Sequence, residues 1–241
     1  MSGKKGYPQQ DWHKGTYAFD LQYEPDSLKQ LGKICFEDGN PKNIEFADFV
    51  RNMLTKIGFM MYSRDSLKES TKGKQIPTHY HLSSFIFNSK AYLDAISNML
   101  NVDYCIGAEN ALIDIQKKSF RDKLRNKNRT LAEMIEKQLD WIDTVVFWRN
   151  EMIHRKSPLI IFYSKANDSG DAPNDTTVKM PIEPVSMFNY YEDEKRLKSK
   201  YGKIQQDILP FCDEWIQNAD RLLQITCKNI VDDITKSTQH T

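Results

Sequence analysis

What most constrains this chain is the return of apolar residues every three or four positions over long stretches, the mark of helices that bury one face. Between 44 and 62, Phe46, Phe49, Val50, Met53, Leu54, Ile57 and Met60 form one wide apolar face of a 3.6-residue helix. From Leu82 to Leu100 a second such face holds Phe85, Ala91, Tyr92, Ala95, Ile96 and Met99. A weaker pattern over 104–124 turns strongly basic toward its end. A third long helix is predicted from Thr130, an N-cap with Glu133 three residues on, to about Arg155, and Pro158 requires it to have stopped. A shorter helix is predicted over 27–37, ended by the turn-forming DGNPKN at 38–43. The last runs from about Tyr190 to Ile234, with a kink expected near Pro210.

Residues 1–25 show no clear period and read as an irregular arm, and two short runs look like strands. LIIFYS at 159–164 and TTVKMP at 176–181 are β-like and flank KANDSGDAPND, which predicts a hairpin with a long exposed loop. The charged stretch SRDSLKESTKGKQIP at 63–77 predicts a connector and the best boundary in the chain. The expected fold is therefore mainly α. Residues 1–81 form an N-terminal arm and helical extension, 82–236 a helical domain with the hairpin inserted, and 237–241 a tail.

Composition narrows the function classes. A chain of 241 residues with 39% hydrophobic side chains can fill a core without disulfides. A formal charge of +1 gives no global attraction to nucleic acid or membrane, so polyanion binding has to come from a local patch. Cys35, Cys105, Cys212 and Cys227 are scattered, without zinc-site spacing, and read as reduced thiols. MSGKKGYPQQDWHKG lacks the apolar core of a signal peptide, and no apolar run approaches the roughly 18 residues of a membrane span. The expectation is a cytoplasmic protein with no membrane partner. No Gly-rich phosphate loop, G-x-S-x-G or H-E-x-x-H occurs, so no cofactor and no metal are expected. His79 and His81, an i, i+2 pair placed on a loop, read as surface histidines.

The helix over 130–155 carries the functional argument. One row along it is Trp141, Val145, Trp148 and Met152, bulky enough to require a core. A neighbouring row, Leu139, Ile142, Val146, Arg149 and Ile153, has an arginine where an aliphatic residue is due. A third row, Asp143, Phe147, Asn150 and His154, puts Asn150 and His154 one turn apart. An arginine in an apolar row calls for a carboxylate, a phosphate or a subunit interface. The plain structural reading is an ion pair for Arg149 and a dipole-stabilised His154 near the helix C-terminus.

The string Arg149-Asn150-Glu151-Met152-Ile153-His154 resembles the signature of the HEPN superfamily (higher eukaryote and prokaryote nucleotide-binding domain): arginine, a polar residue that is often asparagine, three more residues, then histidine. Requiring asparagine directly after arginine brings the chance occurrence in such a chain down to roughly one in eighty. The resemblance covers about residues 82–236 and implies a HEPN-like bundle of four or five helices, with the motif near the end of a long one.

The resemblance further implies a metal-independent endoribonuclease, of the kind found among toxins and defence effectors, with a composite site at a homodimer interface. His154 would move protons at the 2′-hydroxyl or the 5′-oxygen, Arg149 would neutralise the phosphorane, and Asn150 would orient the histidine or donate to a phosphate oxygen. RNA would be the partner, held by Arg155 and Lys156 beside the motif and by Arg121 and Arg125 in the basic run 117–129. An antitoxin or regulatory protein is a further implied partner. The alternative is a non-catalytic HEPN-like module for interaction or nucleotide binding.

Overall fold

Three prolines open helices in this protein. In the computed structural model, which describes residues 41–70, 75–154, 161–164, 176–185 and 190–238 together with Gln30, Leu31 and Lys33, Pro41 begins α1 (Pro41–Ser70). Pro77 is the third residue of α2 (Gln75–Asp103) and Pro210 the third of α7 (Ile208–Thr238). The first turn has no intrahelical use for its N–H groups, so proline is tolerated there. Pro210 therefore does not kink a helix that is already running. The break predicted near it lies earlier, between α6 (Tyr190–Tyr201) and α7, where Gly202 takes φ +68° and Gln205–Asp207 forms β3.

The described chain is mainly helical, as its periodicity required. Between α2 and α6 stand a 3-10 turn (Asn110–Leu112), α3 (Lys118–Lys127), α4 (Arg129–Glu136) and α5 (Leu139–His154). Several expected boundaries differ. The segment 104–117 forms no α-helix; α2 closes through Tyr104 N–H to Leu100 O and Ile106 N–H to Asn101 O, with Cys105 at φ +46°. The Asn101 side chain then grips the loop by bonding both N–H and C=O of Ala108. The long helix expected over 130–155 is two, separated by the turn at Lys137–Gln138. Its first cap is Asn128 rather than Thr130, with Oδ1 accepting from Leu131 N–H at 2.8 Å. The helix predicted at 27–37 and the loop at 165–175 lie largely outside the described residues.

The residues form two compact units, each discontinuous along the chain. Among the described residues, one takes those up to Gly58, Ala91–Asp143 and those from Gln217 onward, the other those within Phe59–Lys90 and Thr144–Ile216. The division expected at 81/82 falls inside α2. In the first unit the fully buried apolar side chains include Tyr92, Ile96, Phe120, Leu131, Leu223 and Ile230. Tyr92 satisfies its buried hydroxyl by donating to Ala219 O at 2.6 Å.

The second unit shows why the expected connector is a helix. Met60, Ser63, Leu67 and Ser70 are all buried, at spacings of three and four, so the core stripe of α1 continues through two serines that look polar in sequence. Ser70 Oγ bonds Leu67 O at 3.1 Å, and Thr78 Oγ1 reaches back to Ser70 O at 3.3 Å. Arg64 forks onto Asp213 through Nε at 2.7 Å and Nη2 at 3.0 Å, 149 positions along the chain.

The small sheet also belongs to this unit. β1 (Ile161–Ser164) pairs antiparallel with β2 (Thr176–Pro181), Ile161 opposite Lys179 and Ser164 opposite Thr176, as the hairpin reading expected. β3 adds a third antiparallel strand with Lys179 opposite Asp207. Its sequence, Gln-Gln-Asp, has no apolar alternation to announce it.

Candidate functional site

The C-terminal half of α5, which carries the motif, is anchored by aromatic packing. Trp148 is 1% exposed and meets Phe211 edge-on at 6.0 Å between centroids. Phe211 lies 4.4 Å from Trp215, and Phe85 lies 5.9 Å from Trp215. Such a cluster fixes the rotation of α5 about its axis, because turning the helix would pull Trp148 from its pocket. The rows on the other sides of the helix are thereby assigned to known surroundings.

The row containing Arg149 leaves the core at its C-terminal end. Val146 is 7% exposed, Arg149 is half-buried and Ile153 is 45% exposed. Arg149 is therefore not a cation sunk among aliphatic side chains. Its Nη1 donates to Asn150 Oδ1 at 3.0 Å, and among the described residues it makes no ion pair with a carboxylate. Asn150 is exposed, as is Phe147 at 44% on the same row. His154 is the last residue of α5, one turn beyond Asn150. Arg155 and Lys156 lie outside the described residues.

The basic run behaves differently from its sequence. Arg121 is buried, with Nη1 donating to the carbonyls of Ile115, at 2.8 Å, and of Gln116. Its Nε lacks a hydrogen bond and sits 3.9 Å from Glu136 Oε1. Arg125 bonds both Glu136 and Asp122, the latter at 2.8 Å. Both arginines thus tie α3 to its surroundings within the first unit, whereas the motif lies in the second. An arginine held by backbone carbonyls and a carboxylate has few donors left for phosphate.

His79 and His81 sit in α2 rather than on a loop. Burial holds both below the ordinary histidine range, and His81 packs edge-on against Tyr80 and Tyr62. Among the described residues no group of three His, Cys, Asp or Glu side chains is arranged to hold a metal ion. In the second unit an open cleft of about 330 Å³ is lined by Lys179, Lys203, Asp207 and Glu214 over Pro210 and Phe211; it contains no motif residue.

A polar cluster in the first unit escaped the sequence reading. Tyr104 Oη donates to Asp233 Oδ2 at 2.9 Å, and Asn128 Nδ2 reaches the same oxygen at 2.8 Å while its Oδ1 caps α4. Asp103, the last residue of α2, faces this group. Burial first, then the Asp233 charge, push its carboxyl up to about 6. Burial and the Asp233 hydrogen bond raise the Tyr104 phenol far above its usual range, so it remains a donor. The only hint in sequence is an acid at the C-terminal end of a helix, where the dipole disfavours it.

Comparison with protein-family models, with curated proteins and with solved structures yields no match to this chain. No helix among the described residues is long and apolar enough to cross a membrane.

Proposed function

We propose that this chain is a metal-independent endoribonuclease of HEPN type, in which Arg149, Asn150 and His154 of two copies meet in one composite site. The observation that carries the reading is the state of Arg149: half-buried, hydrogen-bonded to Asn150, and without a carboxylate partner among the described residues. A structural arginine would be neutralised by an acid, as Arg64 is by Asp213. A guanidinium presented beside an amide on an exposed helix end suits a phosphate instead.

The chemistry follows from the residue types. A ribose 2′-oxygen attacks the adjacent phosphorus, the P–O5′ bond breaks, and the products are a 2′,3′-cyclic phosphate and a 5′-hydroxyl. His154 accepts the 2′-hydroxyl proton or supplies one to the departing 5′-oxygen. Arg149 offsets the charge gathered on the phosphorane oxygens, and Asn150 holds the guanidinium in place. The exposed Phe147 and Ile153, which flank Asn150 around the helix, give a second copy an apolar surface to cover. Under this reading the protein acts on cytoplasmic RNA as a toxin or defence effector, and an antitoxin or regulatory protein restrains it. The same apolar flank also favours a second reading, a non-catalytic HEPN-like module for interaction or nucleotide binding.

Cleavage of RNA by the purified full chain in EDTA separates the two. EDTA-resistant cleavage leaving cyclic phosphate ends, lost in Arg149→Ala and in His154→Ala, is the expected result. Equal cleavage by wild type and both variants, or none by the wild type across a panel of cellular RNAs, favours the interaction module.

A further inference from the structure

The basic run on α3 is largely consumed by internal partners, and what remains has a pattern. Lys118 pairs with Asp122, Arg125 with Asp122 and Glu136, and Arg129 with Glu133. Arg121 is buried, and Lys117 donates to Ala111 O. Lys123 and Lys127 are left: both exposed, and with no ion pair or hydrogen bond among the described residues.

These two lysines stand one turn apart on the same face of α3. On α3 their neighbours at three and four positions are Ser119, Phe120, Leu124 and Asn126, with no acid among them. Exposed lysines elsewhere on a helix are relieved differently: on α6, Lys195 has Glu192 three residues before it and Lys198 has Glu194 four before it. Two like charges at i, i+4 without an acid destabilise a helix. The helix dipole accounts for Lys127 in the last turn but not for Lys123 in the middle. An arriving polyanion removes this repulsion, and Ser119 and Asn126 add neutral donors beside it.

We infer that the face of α3 bearing Ser119, Lys123, Asn126 and Lys127 binds the phosphodiester backbone of single-stranded RNA, while Arg121 and Arg125 serve the fold. This inference rests on the ribonuclease reading for its choice of polyanion. Backbone contacts of this kind carry no sequence preference and are strongly salt-dependent.

The test is fluorescence anisotropy of a labelled 2′-O-methyl oligouridylate, which cannot be cleaved through its 2′-oxygen, titrated with the full chain in EDTA at several salt concentrations. Each single-strand phosphate contact adds about 0.7 to the slope of log affinity against log salt, so Lys123→Gln with Lys127→Gln lowers the slope by about 1.4 and the affinity at 0.15 M salt about tenfold. Lys195→Gln with Lys198→Gln leaves both unchanged. A wild type that does not bind, an α3 variant with the wild-type slope, or an equal loss from the α6 pair overturns the inference. So does polyglutamate competing as well as RNA at equal charge. Cleavage of unmodified RNA is scored in parallel. An α3 variant that binds like wild type, beside a wild type that cuts in EDTA, rejects this face alone. Binding that depends on Lys123 and Lys127 without any cleavage rejects the nuclease and keeps the face.

Discussion

Replacing Asp103 with asparagine tests the electrostatics of the first unit most directly. Asp103 ends α2, where the helix dipole opposes a negative charge, and Asp233 on α7 adds a second one nearby. Tyr104 and Asn128 spend their hydrogen bonds on Asp233, and none of them reaches Asp103. In the unfolded chain the carboxyl ionises near 3.8, but in the folded protein it holds its proton to about 6. Between those values the native state binds more protons, so stability falls as pH rises from about 4 to 6 and stays at its lower level above. At about 1.4 kcal/mol per pH unit, the interval from 3.8 to about 6 corresponds to about 3 kcal/mol. Asp103→Asn keeps the shape and removes the charge. At pH 7.5 it therefore raises the unfolding free energy by about 3 kcal/mol, a Tm gain of about 6–12 °C for a chain of this size. At pH 4 the gain is below about 1 kcal/mol, because wild-type Asp103 is then protonated in the native state. Thermal unfolding followed by circular dichroism at both pH values decides the matter. Equal gains at the two pH values, or none at 7.5, would refute the reasoning. Asp233→Asn yields a smaller gain, since burial outweighs the neighbouring charge among the causes.

Two further substitutions probe other parts of the fold. Burial alone would raise the Glu183 carboxyl, but hydrogen bonds from Lys200, Tyr201 and Arg196 outweigh it and hold the group at about 2. Its contribution is thus present above about 4.5 and lost as pH falls through about 2; Glu183→Gln costs about 2 kcal/mol at pH 7, after allowance for the exposed cations, and much less at pH 2, where the carboxyl is half protonated, measured by urea unfolding at both. Cys105 takes φ +46°, a conformation that costs an L-residue roughly 1–2 kcal/mol, so Cys105→Gly is neutral to stabilising while the β-branched Cys105→Val lowers Tm by several degrees.

The sequence by itself determined the elements whose information is local. Apolar spacing produced the bulk of α1, α2, α5 and α7, because a helix buries its face at a fixed 3.6-residue period whatever lies opposite. The β1–β2 hairpin was legible from two β-prone runs around a turn-rich stretch. In the candidate site, the order Arg149, Asn150, His154 near the end of one helix was readable from the residues alone. Whether Arg149 is a buried ion-pair partner was not, because exposure depends on which neighbours cover the row.

Only the tertiary structure decided the rest. Residues 63–70 became helix because Ser63 and Ser70 sit at close-packed positions and Arg64 finds Asp213, a partner 149 positions away that no local window contains. β3 exists because β2 offers it an edge, its own residues having no strand pattern. The seven cations of 117–129 looked equivalent in sequence. Folding sorted them by bringing Glu136 and the carbonyls of Ile115 and Gln116 to Arg121 and Arg125, leaving Lys123 and Lys127 exposed. Periodicity reports which face of an element is buried. The identity of what it is buried against, and hence which charges remain for function, is written in contacts between residues far apart in the chain.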